Sequence, residues 1–148
     1  MSNAPEPTDA AEDAVVIESL VAEFFAAFTT SPDLDRRMDR LRAMFLPGAR
    51  IVSAAGPALT AYSVEEFIEP RRAILSDGTL RDFSEWPTSG HVEIFGDVAH
   101  WFGHYAKQGV QRDEPFEGRG GKSIQFVRSA GTWLIAAAAW DDEPPAED

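Results

Sequence analysis

The spacing of apolar residues changes once along this chain, near residue 79, and that change constrains the fold more than any other feature. Before it, Ile17, Leu20, Val21, Phe24, Phe25 and Phe28 recur at intervals of three and four, giving residues 14–30 one broad apolar helix face. Thr29 and Thr30 stop that run. Ser31 is placed to cap a second helix with Pro32 at its first position, and that helix is expected to reach about residue 45 before Pro47 and Gly48 end it. Residues 50–54 read as a short strand. Ser63 and Glu66 form a capping box that opens a third helix over residues 64–75, with Pro70 inside it and Asp77-Gly78 closing it. After residue 79 the pattern is strand-like, over residues 80–86, 90–95, 98–110, 121–128 and 132–140. Gly96-Asp97 suits a tight hairpin turn, and Ser129-Ala130-Gly131 suits a second. Residues 111–118 are polar and read as a loop. Helices first and a meander of strands afterwards predict an α+β fold, a helical layer packed on a curved antiparallel sheet.

The 148 residues suit one domain with a real core. Cysteine is absent, which excludes disulfides and thiolate metal sites. The opening MSNAPEPTDAAEDA has neither the basic start nor the apolar stretch of a signal peptide, and no run approaches the ~20 apolar residues of a membrane span, so a cytoplasmic location and no membrane partner are expected. The formal charge is −12, but much of it sits at the ends: Glu6, Asp9, Glu12 and Asp13 in front, Asp141, Asp142, Glu143, Glu147 and Asp148 behind. Residues 1–13 and 142–148 are therefore expected to be disordered acidic tails around a folded domain of residues 14–141. This balance argues against nucleic acid as a partner. Ten Phe and four Trp point to a very aromatic core or an aromatic-lined cavity.

The stretches IESLVAEFFAAF, LDRRMDRLRAMFLPGARIVSAAG, YSVEEFIEP, HVEIFGDVAHWFGHY and SIQFVRSAGTWLIAAAAW, in that order, resemble the nuclear transport factor 2-like superfamily. Within it, the chain looks like the SnoaL-like group, related to ketosteroid isomerases and scytalone dehydratases. The resemblance implies a cone-shaped cystatin-like fold, a pocket for a small hydrophobic ligand between helices and sheet, and a homodimer through the outer sheet face. It also implies what is missing. The isomerase acids and base fall on Phe24, Ser53 and Ser123, none of which carries the needed group. No aspartate occupies residues 119–140 to serve as a cyclase acid, and no aspartate on the neighbouring strands partners Arg112, Arg119 or Arg128 as limonene-type epoxide hydrolysis requires. Phe24, Ser53, Tyr62, Trp86, Phe102, Ser123 and Trp140 are the pocket lining this resemblance leads us to expect.

With Gly96-Asp97 as a two-residue turn, Phe95 pairs with Val98, Glu93 with His100, His91 with Phe102 and Ser89 with His104. One face then carries His91, Glu93, His100, Phe102 and His104, which includes all three histidines of the chain. The other carries Val92, Ile94, Ala99, Trp101 and Tyr105. A one-residue slip would separate the histidines. Periodicity alone turns Val92, Ile94 and Trp101 inward. Matching Ala99 to the hairpin alanine of ketosteroid isomerases turns His100, Phe102 and His104 inward instead, with Leu134, Ala136, Ala138 and Trp140 on the closing strand. We take the histidine face as the pocket face. His100, His104, Glu93 and His91 are then the candidate catalytic residues, since imidazole exchanges protons near neutral pH and Glu93 can fix the tautomer of His100. A histidine pair in a cone resembles scytalone dehydratases. The plainer reading makes them ordinary sheet residues.

His100 and His104 lie ~13 Å apart along one strand and cannot share a metal ion. His91, Glu93 and His100 can approach one another, but no metal and no cofactor is assigned. Arg71 and Arg72 either guard a pocket mouth against an anionic ligand or form a solvated helix face. The Gly118, Gly120, Gly121 cluster has no helix after it and reads as a strand bend. Two functions stay open: a His-assisted dehydratase, isomerase or cyclase acting on a hydrophobic ring compound, or a non-catalytic ligand-binding module or accessory subunit of a larger enzyme complex. A cone with a filled core is the third possibility.

Overall fold

The computed structural model describes residues 7–144. In chain order the elements are α1 (Pro7–Ala26), α2 (Leu34–Ala43), β1 (Phe45–Ser53), β2 (Thr60–Tyr62), α3 (Val64–Ser76), β3 (Leu80–Phe95), β4 (Val98–Gln111), β5 (Glu114–Ser129) and β6 (Thr132–Asp142). The helices pack on one face of a curved six-stranded sheet of order β2-β1-β6-β5-β4-β3. The sheet is mixed where the sequence suggested antiparallel pairing throughout. β1 leaves the helical half of the chain and lies beside the last strand, so that pair is parallel, with Ile51 opposite Ala138. Every other neighbouring pair is antiparallel.

α1 buries Ile17, Val21, Phe24 and Phe25, the residues its spacing selects. It starts earlier than residue 14. The Asp13 carboxylate meets the Arg128 guanidinium of β5 at 3.0 Å, which ties the first turns to the sheet. Part of the expected front tail is therefore helix, and residues 1–6 lie outside the described residues. At the other end Asp142 belongs to β6, and the Glu143 N–H donates to the Arg119 carbonyl at 2.7 Å. Residues 145–148 lie outside the described residues. α2 is shorter than expected: the Ser31 hydroxyl accepts from the Asp33 N–H, Asp33 takes the cap position, and Phe45 already opens a strand. α3 has the capping box as read, Ser63 Oγ accepting from the Glu66 N–H at 3.2 Å and Glu66 Oε1 from the Ser63 N–H at 2.9 Å. It runs through Pro70 without a break.

The β3–β4 hairpin has the expected register, with Phe95, Glu93, His91 and Ser89 opposite Val98, His100, Phe102 and His104. Gly96 takes a φ of +58°, which is why a glycine suits this turn. β3 is one strand rather than two, because irregularities between Arg81 and Ser84 and between Pro87 and Ser89 absorb the proline. Residues 111–118 form a third hairpin rather than a loop. Arg112 and Asp113 hold its turn at φ +51° and +64°, with no glycine, asparagine or proline between the two strands to mark it. Between Gln125 and Phe126 the β5–β6 register shifts by one residue. That shift puts Trp133 and Ile135 on the same face as Ala138 and Trp140, and turns Leu134 and Ala136 away.

The concave face carries Ala99, Trp101, Tyr105, Ile124 and Phe126, all buried under the helices. Gly120 permits this packing: the Tyr105 hydroxyl and the Asp141 carbonyl oxygen fill the space where a Cβ would stand. Among the described residues no helix is long and apolar enough to cross a membrane.

Candidate functional site

Strand alternation dictates the polar centre of this molecule. On β5 the residues Ile124 and Phe126 must face the helices, and a period of two then carries Lys122 to the same face. Its side chain enters the cone and is 4% exposed. The Lys122 ammonium lies 3.6 Å from Glu85 Oε1 of β3, a carboxylate that is itself only 12% exposed. It also sits over the rings of Phe24, Phe25, Tyr105 and Trp140, at 4.7, 4.8, 5.0 and 5.2 Å from their centroids. Ring quadrupoles and one carboxylate replace the water such a group would otherwise keep. Burial pulls the Lys122 amine below the ordinary lysine range; the Glu85 charge opposes this and the Arg71 charge adds to it.

Beside Lys122 opens a cavity of about 250 Å³ between α3 and the concave sheet. Phe28, Phe67, Phe83, Phe116 and Trp140 supply aromatic walls, and Leu75 and Leu80 add aliphatic ones. Exposed Ile74 and Gln111 mark where it reaches solvent. Four charged side chains line it: Arg71, Lys107, Lys122 and Glu85. Arg71 leaves α3 over the Phe67 ring at 4.2 Å, with Tyr62 and Trp140 at 5.3 and 5.4 Å. Its Nη1 donates to the Phe67 carbonyl at 2.9 Å. Burial lowers the Arg71 pKa, with Tyr62 opposing, but a guanidinium keeps its charge. Lys107 meets Asp142 at 3.3 Å, and the Tyr105 hydroxyl donates to the other oxygen of that carboxylate. Burial, followed by the Asp142 contact, pushes the Tyr105 hydroxyl well above its usual value, so it stays a protonated donor. With Lys107 neutralised by Asp142 and Lys122 facing Glu85, Arg71 is left as one uncompensated positive charge in an otherwise acidic chain.

The structure sorts the residues the sequence selected. Trp140 lines the cavity, and Tyr62 stacks on it at 6.5 Å with an interplanar angle of 2°. Phe24 lies beneath Lys122 in the core. Ser53 is buried on β1, its hydroxyl accepting from the Ala55 N–H. Ser123, Phe102 and Trp86 are on the opposite, convex face, where Phe102 and Trp86 are 48% and 39% exposed.

His91, Glu93, His100 and His104 are on the convex face too, away from the cavity, which corrects the face chosen from the resemblance. The physical reason is the one periodicity offered: Ala99, Trp101 and Tyr105 alternate with the histidines and take the core. Of the four, His91, Glu93 and His100 come together, while His104 stands apart with Ser89 Oγ at 3.2 Å from its Nδ1. Arg71 and Arg72 divide between their two readings. Arg71 enters the cavity; Arg72 bonds Asp35 and Asp39 across the α2–α3 interface. Sequence reasoning missed Lys122, Glu85, Lys107 and Asp142. The available signal was a lysine at an apolar position of the Lys122, Ile124, Phe126 alternation.

No family model matches the chain, and neither does any curated protein. Solved structures do match. Hexachlorocyclohexane dehydrochlorinase LinA-type3 from Novosphingobium barchaimii LL02 superposes with a TM-score of 0.75 at 13% identity, covering 94% of this chain and 92% of that one. An ntf2-like protein with a cystatin-like fold from Novosphingobium aromaticivorans gives 0.63 at 15%, covering 97% and 94%. A putative calcium/calmodulin dependent protein kinase II association domain from Xanthomonas campestris gives 0.64 at 15%, covering 99% and 97%. These likenesses establish the fold.

Proposed function

We propose that this chain, with its cystatin-like fold of the nuclear transport factor 2-like kind, binds a small ring compound bearing an anionic group, such as a carboxylate or phenolate. The observation that carries this reading is the Lys122 ammonium, buried at the wall of an aromatic cavity that Arg71 also enters. A cavity of ~150 Å³ already takes benzene, so about 250 Å³ has room for a ring and a carboxylate. The aromatic walls supply apolar burial, and the cations supply the orientation. The likeness to a dehydrochlorinase of a chlorinated ring compound supports a ring-sized ligand.

Phenylacetate and 2-phenylethanol differ mainly in charge and make a matched pair of probes. Titration followed by tryptophan fluorescence, with Trp140 in the cavity wall, is expected to show phenylacetate binding at least about ten-fold more tightly, the order of one charge-assisted contact. Equal affinities, or none for either probe, would overturn the reading.

Catalysis of a proton transfer at the same site is the second reading, and the Lys122 amine at the cavity wall, 3.6 Å from the Glu85 carboxylate and with its pKa lowered by burial, favours it. In this reading Lys122 and Glu85 take the roles the sequence gave to the histidines, and the substrate stays a ring compound.

The convex face supports a homodimer. Phe95, Val98 and Phe102 are 89%, 59% and 48% exposed there, an apolar group that a second copy would cover. A sedimentation series is expected to show a concentration-dependent dimer; a species that stays monomeric to high concentration contradicts it.

A further inference from the structure

We propose that His91, Glu93 and His100 bind one divalent ion of the zinc or copper class on the convex face of the sheet, at a site separate from the cavity. The backbone builds the arrangement. His91 and Glu93 stand two residues apart on β3 and point the same way, and His100 of β4 lies directly opposite Glu93. The two-residue turn at Gly96-Asp97 fixes this register, and both irregularities of β3 lie on the far side of Ser89.

The side chains already converge. Glu93 Oε1 is 3.5 Å from His91 Nε2, and Oε2 is 3.8 Å from His100 Nε2. One ligand atom from each residue lies within 4.8 Å of the others. A tetrahedral zinc ion with bonds near 2.0–2.1 Å holds its ligand atoms about 3.3 Å apart. The remaining adjustment is at most about 1.5 Å, and these exposed side chains can make it by rotation about their own bonds.

The chemistry of the set selects the ion. Two imidazoles and a carboxylate suit zinc, copper or nickel; calcium and magnesium want more oxygen ligands. Glu93 offers one oxygen towards each imidazole, so its charge falls where the cation would sit. Three protein ligands leave the fourth position to water.

The test is a titration of the full-length chain with zinc ions against a competing chromophoric chelator, at low micromolar protein so that chains docked on this face do not cover it. One ion per chain is expected. His91→Ala and His100→Ala should each weaken binding by at least about ten-fold, the effect reported even for residues one shell further from a metal. His104→Ala, on the same face but outside the cluster, should leave it unchanged. Binding that survives both His91→Ala and His100→Ala, or no binding to the wild-type chain, overturns the proposal. Circular dichroism of each variant separates loss of the site from loss of the fold. Phenylacetate affinity should not change in His91→Ala, so failure here and failure of the cavity reading are distinguishable.

Discussion

Replacing Lys122 by methionine is expected to weaken phenylacetate binding by about 100-fold, and replacing Glu85 by glutamine along with it is expected to leave the chain about as stable as before. Both halves follow from burial. A ligand carboxylate in the cavity would meet Lys122 in surroundings of aromatic rings, with little solvent to screen it. Removing one member of such a pair costs about 3 kcal/mol of binding, which is about two decades in affinity. Stability behaves differently. The ammonium gives up hydration on folding and recovers part of it from Glu85 at 3.6 Å and the rings around it. Methionine has nearly the same length and packs against aromatic rings at no desolvation cost. Lys122→Met alone leaves the Glu85 carboxylate buried without its partner, a cost of about 3 kcal/mol that the nearby Arg71 charge reduces, and Lys122→Met with Glu85→Gln removes that cost. Exchanging a buried ion pair for groups of similar shape is often neutral or stabilising, so the double variant should unfold at a urea concentration equal to or above that of the wild type. Undiminished phenylacetate binding in Lys122→Met would sink the idea that the cavity recognises an anion.

The sequence made local geometry legible and left the sidedness of the site hidden. The cross-strand pairs of the β3–β4 hairpin from Phe95–Val98 to Ser89–His104 could be written down in advance, because a two-residue turn with glycine at φ +58° leaves one register; the pairs beyond Pro87 could not, because the register shifts there. The capping box of α3 was equally local. The Arg112-Asp113 turn was not legible, since its residues adopt positive φ without being glycine or asparagine. The choice of face turned on a conflict. Periodicity turned Val92, Ile94 and Trp101 inward, and the resemblance turned the histidines inward; burial of the larger apolar area, with Ala99, Trp101 and Tyr105 in the core, decided for the first. The register shift at Gln125 compounded the difficulty, because alternation counted back from Trp140 assigns Leu134 and Ala136 to the wrong face. The resemblance was right about the cone. It could not reveal Lys122, because the positions it carried over, Phe24, Ser53 and Ser123, were matched to the acids and base of ketosteroid isomerases and carry none of those groups here. A lysine between buried apolar neighbours looks like a fault in a pattern until the partner on β3 is seen, and Glu85 lies 37 residues earlier.

Glu85→Gln is expected to destabilise the chain by about 3 kcal/mol near neutral pH and to make its stability rise with pH from a lower starting point. Breaking one side of a buried pair leaves an uncompensated charge, which sets that magnitude. The pH dependence follows from the Lys122 amine, whose pKa burial lowers and Glu85 raises. In the unfolded chain a lysine holds its proton to about pH 10.4. Between the folded and unfolded values the unfolded state binds more protons, so stability climbs with pH, by up to about 1.4 kcal/mol per unit. Below the folded value the full penalty stands. Glutamine removes the charge that raises the amine, so the climb should begin at lower pH. Tyr105 acts in the opposite sense over the alkaline range. Its folded pKa is raised, so its contribution is complete below the unfolded value near 10 and is lost as pH rises beyond it. Comparing matched variants removes that contribution. The wild type minus Lys122→Met reports Lys122 with Glu85 present; Glu85→Gln minus the double variant reports it with Glu85 gone. Urea midpoints across about pH 6 to 10 should show the second difference rising first. Two superimposable curves would mean that Glu85 does not hold the charge on Lys122.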